Sequence, residues 1–412
     1  MHTHRLLRRL LGLLPWLLGG LGLGGCATPP STGAVAQPPV GVFLDAAFRP
    51  PRAPIDASAA LALSPAMERF AETEMAAEIR RKGVRDGLID ALYSRAQLQL
   101  DYDSDITRTA AEAFEARRGN CMSLVLMTAA FARHLGLPFR FNSVYTEDSW
   151  TRANGIYFVA GHVNITLSRA LSTRAQTLFG EPDYLTIDFL PPDQARGLRS
   201  RVIEESTLLA MYLNNRAAEA LGRGEVDEAY WWAREAIRSD ARWHAAYNTL
   251  AVLYRRKGLQ ERAESTLQWV LAREPANVQA LSNLMLVLND AGRKAEADVI
   301  GRQLAQLQPV PPYKYFDEGL AAMRAGQYAA ARQLFRQELD RAAYVPEFHF
   351  WLALANFGLG DVSAARSAIA KALENSATTK DREVYSAKLA WLNDLRDQQQ
   401  RSRSLLRGSA GS

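Results

Sequence analysis

The chain is 412 residues long, 48% hydrophobic and 23% charged, with 49 Lys and Arg against 44 Asp and Glu. That length suits two or three domains with cores of their own, and that composition excludes a wholly disordered chain. The formal charge of +5 falls to +2 without Arg5, Arg8 and Arg9, which lie in a segment of removable character. So small an excess leaves no electrostatic footprint for DNA or RNA, and no nucleic-acid partner is expected.

Residues 1–25 have the form of a secretory signal peptide. Arg5, Arg8 and Arg9 open it, an apolar run follows over 10–23, and Gly24 and Gly25 precede Cys26. The run is too short and too rich in glycine to span a bilayer. Leu23-Gly24-Gly25-Cys26 resembles the bacterial lipobox. That resemblance implies cleavage before Cys26, diacylation of Cys26 and, with Ala27 rather than Asp behind it, a lipid-anchored place in the bacterial envelope, on the outer membrane facing the periplasm. Residues 26–40 include Pro29, Pro30, Pro38 and Pro39 and are expected to be a tether. The first domain is expected to begin at residue 41, with Val42, Phe43, Leu44 and Phe48 docking on it. If Cys26 is acylated, Cys121 is the one free thiol, so no internal disulfide can form. No CxxC pair is present for zinc or redox work, and neither metal nor cofactor is expected.

Residues 61–100 carry apolar positions at three- and four-residue spacing and are predicted to be helical. A second helical run covers 107–118, and Gly119 is placed to end it in the left-handed conformation. Asn120 is a good N-cap, and 121–135 is a strongly apolar helix stopped by Gly136 and Pro138. Cys121 thus stands in a first helical turn, where unpaired N–H groups and the positive dipole end favour thiolate over thiol. Strand-like runs follow at 139–145, 156–167 and 184–189. Alternation puts His162 on one face with Asn164 and Thr166, and Asp188 on one face with Tyr184 and Thr186. A thiolate, an imidazole and a carboxylate so placed can form a Cys-His-Asp relay, with His162 moving the proton and Asp188 holding the tautomer. Each residue alone also has a plainer reading: a core cysteine, a solvated strand histidine, a turn-forming aspartate.

RRGNCMSLVLMTAAFARHLGLPFRF, GHVNITL and YLTIDFLPP together resemble the transglutaminase-like superfamily of papain-type Cys-His-Asp enzymes. Gly119, Cys121, the turn over 135–138, His162, Asp188 and Pro191 match its motif positions, with 41 residues from Cys to His and 26 from His to Asp. The likeness covers about 41–205. Val163 and Asn164 depart from it, because the family often has a small residue and then Trp after the histidine. The resemblance implies an α+β papain/transglutaminase-like domain with Cys121, His162 and Asp188 as catalytic residues. It also implies action on amide or peptide bonds, as a cysteine peptidase or amidase in preference to a crosslinking acyl transferase.

Gly224, Gly258, Gly292, Gly326 and Gly360 recur every 34 residues, and so do Ala229, Ala263, Ala297, Ala331 and Ala365. Thirty-four residues is the tetratricopeptide period, in which glycine serves the turn between paired helices and alanine lets them approach. Five repeats are expected over 206–377, then a capping helix over 378–397 and a disordered tail over 398–412. In the repeat family's phase the fifth position faces a concave groove, here Asn214, Asn248, Ser282, Phe316 and Phe350. A protein or peptide ligand is the expected partner of a groove with a polar end and an aromatic end, although packing of the phenylalanines between helices is the slightly favoured alternative.

The expected architecture is therefore an α+β papain/transglutaminase-like domain followed by an all-α tetratricopeptide solenoid, held to a membrane by an N-terminal lipid. The expected function is thiol acyl transfer on amide bonds, with the repeats choosing a partner. The competing expectation is a catalytically idle lipoprotein scaffold in which the repeats assemble an envelope complex.

Overall fold

A computed structural model describes residues 37–93, 98, 100–103, 106–144, 150–153, 156–159, 161–168, 184–189, 199–376 and 378–409. The leader, the lipobox cysteine Cys26, most of the tether and Pro191 lie outside the described residues.

Short helices open the first domain. Ser64 caps α1 (Pro65–Phe70) by accepting the Met67 N–H, and Pro65 stands in its first turn, where no N–H is missed. A π-helical turn over Ala71–Met75 joins it to α2 (Ala76–Lys82), and Gly83 at φ 86° ends that helix. Helix α3 (Val84–Tyr93) folds back on α2 so closely that a Cβ at Gly87 would lie 2.6 Å from the Ile79 backbone. Helix α4 (Ala110–Ala116) starts with a capping box between Thr109 and Glu112, later than the run predicted from residue 107. Helix α5 (Cys121–His134) follows.

Helix α5 packs on a four-stranded antiparallel sheet of order β7-β6-β3-β8, formed by β3 (Phe139–Val144), β6 (His162–Ser168), β7 (Tyr184–Ile187) and β8 (Ser200–Ile203). Val163, Ile165 and Leu167 of β6 are fully buried in one core with Val125, Leu126, Ala129 and Ala130 of α5. At about 25 cal/mol per Å² of apolar surface removed from water, that layer stabilises the domain. The strand run expected over 156–167 is in fact two strands in two sheets. β5 (Ile156–Val159) pairs with β4 (Trp150–Ala153) in a hairpin of its own, whereas β6 pairs with β3 and β7. A two-residue parallel bridge, β1 (Asp101–Tyr102) with β2 (Arg118–Gly119), sets Tyr102 opposite Gly119, just before α5.

Five antiparallel helix pairs make up the C-terminal half: α6 (Glu205–Gly222) with α7 (Val226–Ser239), α8 (Ala245–Arg256) with α9 (Gln260–Leu271), α10 (Val278–Asp290) with α11 (Lys294–Leu307), α12 (Lys314–Arg324) with α13 (Tyr328–Leu339), and α14 (Pro346–Gly358) with α15 (Val362–Asn375). The five repeating glycines all adopt φ between 71° and 79°, the left-handed turn for which a side chain would be strained. The five repeating alanines are at most 2% exposed. Helix α16 (Thr379–Ser409) caps the array and continues as one helix through most of the segment expected to be a disordered tail. One apolar core runs from the first domain through the third repeat; the fourth begins another around Tyr313, Phe316 and Phe335.

Residues 42–52 do not dock on the first domain as expected. They form a strap over the first two repeats. Phe48 stacks on Tyr230 at 3.8 Å and an interplanar angle of 3°. The Leu44 N–H donates to the Tyr230 hydroxyl at 2.9 Å, which itself donates to Asp45 at 2.6 Å, and Tyr254 donates to the Val42 carbonyl at 2.6 Å. Arg49 pairs with Asp227 at 2.6 Å and Arg52 with Glu225 at 2.8 Å.

Candidate active site

Asn120 accepts the Ser123 N–H at 3.0 Å and so caps α5 directly in front of Cys121, as its residue type leads one to expect. Gly119 has a different job from the one its position suggests. Helix α4 ends at Arg117, a non-glycine residue at φ 51°, whereas Gly119 sits in β2 outside the positive-φ region. What it cannot carry is bulk: an added Cβ would lie 2.6 Å from the Ser123 Cβ. Cys121 is left half-buried in the first turn, a free thiol.

His162 opens β6, opposite Val144 of β3, and Asp188 follows the last residue of β7. The sheet brings the two together: His162 Nε2 lies 2.7 Å from Asp188 Oδ1. The Cys121 side chain also acts on the imidazole as a hydrogen-bond partner. Burial is the largest single influence on this ring and disfavours its charged form. It is outweighed by the hydrogen bond with Asp188, the contact with Cys121 and the negative charge of both, so the ring titrates at about 9 rather than 6.5. At neutral pH the imidazole therefore holds its proton, flanked by a sulfur and a carboxylate.

Alternation on β6 did place Asn164 and Thr166 with His162, and the structure shows what they do. Asn164 donates to Asp188 Oδ2 at 2.9 Å; Asn142 donates to Asn164 Oδ1 at 2.8 Å and to Thr166 at 2.9 Å. Thr166 and Thr186 are in turn 2.8 Å apart. Asn164, the departure from the family's pattern, is thus a second hand on the aspartate. The signal for it was available: a strand whose two faces read Val-Ile-Leu and His-Asn-Thr can bury both only if the polar face is internally bonded. Tyr102 gave no such signal. The β1–β2 bridge carries its hydroxyl to the Cys121 N–H, and burial raises the phenol's pKa, keeping it protonated.

The five expected groove residues fare differently. Asn248 is buried, its amide 3.4 Å from Asn277 and Gln279; Ser282 donates back to the Val278 carbonyl at 2.8 Å; Asn214 is half-buried. Phe316 is fully buried against Phe335 and Phe348, so it is core and not groove. Phe350 packs on Tyr385 of α16 at 5.4 Å. The aromatic end of the expected groove is therefore interhelical packing. Among the described residues, no cluster of His, Cys, Asp and Glu is arranged to hold a metal ion, and no helix is long and apolar enough to cross a membrane.

Comparison with known families agrees with this two-part layout. The transglutaminase-like superfamily matches residues 73–180, and the tetratricopeptide repeat matches residues 316–378. The chain thus carries a transglutaminase-like domain on an α+β framework and, after it, helical tetratricopeptide repeats of the kind that generally bind proteins. Among solved structures it is similar to TTC0263, a thermophilic repeat protein of Thermus thermophilus, at 20% identity over 44% of this chain and 99% of that one, with a TM-score of 0.29. It is also similar to MamA of Desulfovibrio magneticus RS-1, at 19% identity over 42% of this chain and 96% of that one, with a TM-score of 0.24. No curated protein matches the chain.

Proposed function

We propose that the first domain is a thiol acyl-transfer enzyme acting on amide or peptide bonds, with water as the preferred acceptor, and that the repeats present a protein or peptide to it. The observation that carries this reading is the 2.7 Å contact between His162 and Asp188, with Cys121 acting on the same ring. In the forward step the Cys121 thiolate attacks the amide carbonyl carbon, and the oxygen takes up the electron pair beside the Tyr102 hydroxyl, which accepts from the Cys121 N–H and keeps its own proton to donate. When that pair returns, the C–N bond breaks, the imidazolium of His162 gives its proton to the departing amine, and a thioester remains. Water then attacks the thioester, the now neutral His162 accepts its proton, and the acid leaves with the thiol restored. Asp188 holds the ring throughout.

The test is the alkylation of Cys121 by iodoacetamide at pH 6, read on its peptide by mass spectrometry. Wild type should react at least about tenfold faster than His162→Ala, because the charged partner that favours thiolate is gone. Equal rates would leave the idle-scaffold reading standing. The lipobox supports a second element of the proposal, an envelope anchor through diacylated Cys26 on the periplasmic side of the outer membrane. Expressed in a Gram-negative host, Cys26→Ser should keep its leader, gain no lipid mass and cease to partition into detergent; a variant that still cofractionates with the outer membrane would refute the anchor.

A further inference from the structure

The first repeat helix, α6, reaches into the catalytic domain at a particular residue. Thr107 is 1% exposed, and both of its main-chain groups are taken by α6: its N–H donates to Glu219 Oε1 at 2.8 Å and its carbonyl accepts from Arg216 Nη1 at 3.3 Å. Its hydroxyl faces the other way and accepts from Asn120 Nδ2 at 2.8 Å. Asn120 is the N-cap of the nucleophile helix, and its remaining oxygen accepts from both the N–H and the hydroxyl of Ser123, at 3.0 and 2.8 Å. Thr107 thus holds the second polar group of the side chain whose oxygen makes the cap. Arg216 is itself held, its guanidinium 4.8 Å from the Trp232 ring of α7. A separate contact touches the other half of the site. Met211 of α6 lies against Gly161, the residue before His162, so closely that an added Cβ would meet its methyl at 2.8 Å.

We infer that Arg216 and Glu219 of the first repeat are positioning residues for the Cys121 site, clamping Thr107 so that Asn120 holds the start of α5 in its productive geometry. Other ion pairs cross the same interface, Arg133 with Glu205 and Arg216 with Glu112. Arg216 and Glu219 differ from these in converging on the main chain of the residue whose hydroxyl anchors the cap in front of the thiol. The catalytic unit then includes α6, and 41–205 alone is an incomplete enzyme. The inference rests on the thiol-enzyme reading of Cys121.

The full-length chain tests it through iodoacetamide alkylation of Cys121 at pH 6 and pH 9.5, with thermal unfolding recorded alongside. The variants are Glu219→Ala, Glu219→Gln and Thr107→Val, with Arg255→Ala in the second repeat as a control. Glu219→Ala and Thr107→Val should slow alkylation about tenfold at pH 6, where attack depends on the helix start and on the protonated His162, and little at pH 9.5, where His162 has lost its proton. Glu219→Gln keeps an acceptor for the Thr107 N–H and should restore most of the rate. Arg255→Ala should match wild type. A parallel loss at both pH values, tracking the folded fraction, would show a structural role only and overturn the inference. Should Glu219→Ala fail to fold, Thr107→Val decides alone, since it keeps the main-chain contacts with α6. If wild type depends on His162 yet Glu219→Ala and Thr107→Val behave like wild type, the positioning role is wrong and the enzyme reading survives. If wild type itself ignores His162→Ala, the enzyme reading falls first.

Discussion

Asp188→Asn removes one charge from the best-defined contact in the site and leaves its shape nearly intact. The wild-type His162 ring titrates at about 9 rather than 6.5, a gap worth about 3 kcal/mol at ~1.4 kcal/mol per pH unit. Of the influences that raise it, the hydrogen bond with Asp188 comes first, and the carboxylate's charge adds to it. Burial acts against the charged ring and stays in the variant. Losing the carboxylate should therefore lower the His162 midpoint by at least about one pH unit, or ~1.4 kcal/mol. Asn164 makes the loss larger, because its amide donates to Asp188 Oδ2, where an asparagine would present either an oxygen or a second donor. The assay is a proton–carbon NMR titration of the histidine ring C–H groups, with His162→Gln used to assign the signal. The sign carries over to stability. A ring whose folded pKa lies above its unfolded value stabilises the fold fully below pH 6.5, and that contribution disappears as pH rises through about 9. Urea denaturation should accordingly show wild type and variant furthest apart near pH 6 and converging toward pH 10. A His162 midpoint that stays near 9 in Asp188→Asn, or a stability gap that ignores pH, would refute the reasoning.

Phe48→Ala should cost about 3 kcal/mol, as for a buried core phenylalanine, because the ring is 5% exposed and stacked on Tyr230; the urea midpoint measures it. Gly119→Ala should cost about 1–3 kcal/mol and slow Cys121 alkylation, since its Cβ collides with Ser123 beneath the cap. Gly292→Ala, at φ 74° with open space around it, should cost only about 1 kcal/mol of backbone strain and leave the thiol untouched. Tyr102→Phe should cut amide turnover roughly 100-fold, the usual scale for one oxyanion donor. It should spare alkylation, which builds no oxyanion; equal losses in both assays would show that Tyr102 only packs.

What could be read from sequence was what local chemistry decides. Asn120 caps α5 because its side chain reaches an N–H three residues on, and the repeat glycines turn because each solves the same backbone problem within its own 34 residues. What escaped was decided by distant partners. Gly119 looks like a helix stop, yet the atom that demands it belongs to Ser123, and Arg117 takes the strained turn. The strand run over 156–167 is split because β4 claims its first part and β3 its second. Asn164 departs from the family's pattern; the polar face of β6 says that it must be bonded, but its partner Asp188 comes from the residue after β7. Phe316 has the phase of a groove residue, but Phe335 and Phe348 close over it.

The strap over residues 42–52 has a mechanical consequence. Any tension applied at the N-terminal side of Val42 meets the first two repeats before it meets the catalytic sheet. The pull is shared among the Phe48–Tyr230 stack, the Tyr254 and Tyr230 hydroxyls and the Arg49 and Arg52 ion pairs, which lie along the strap and resist in shear. None of these groups touches Cys121, His162 or Asp188. A chain held by its beginning thus loads the first repeats, whose helix α6 also grips Thr107, before it loads the catalytic sheet.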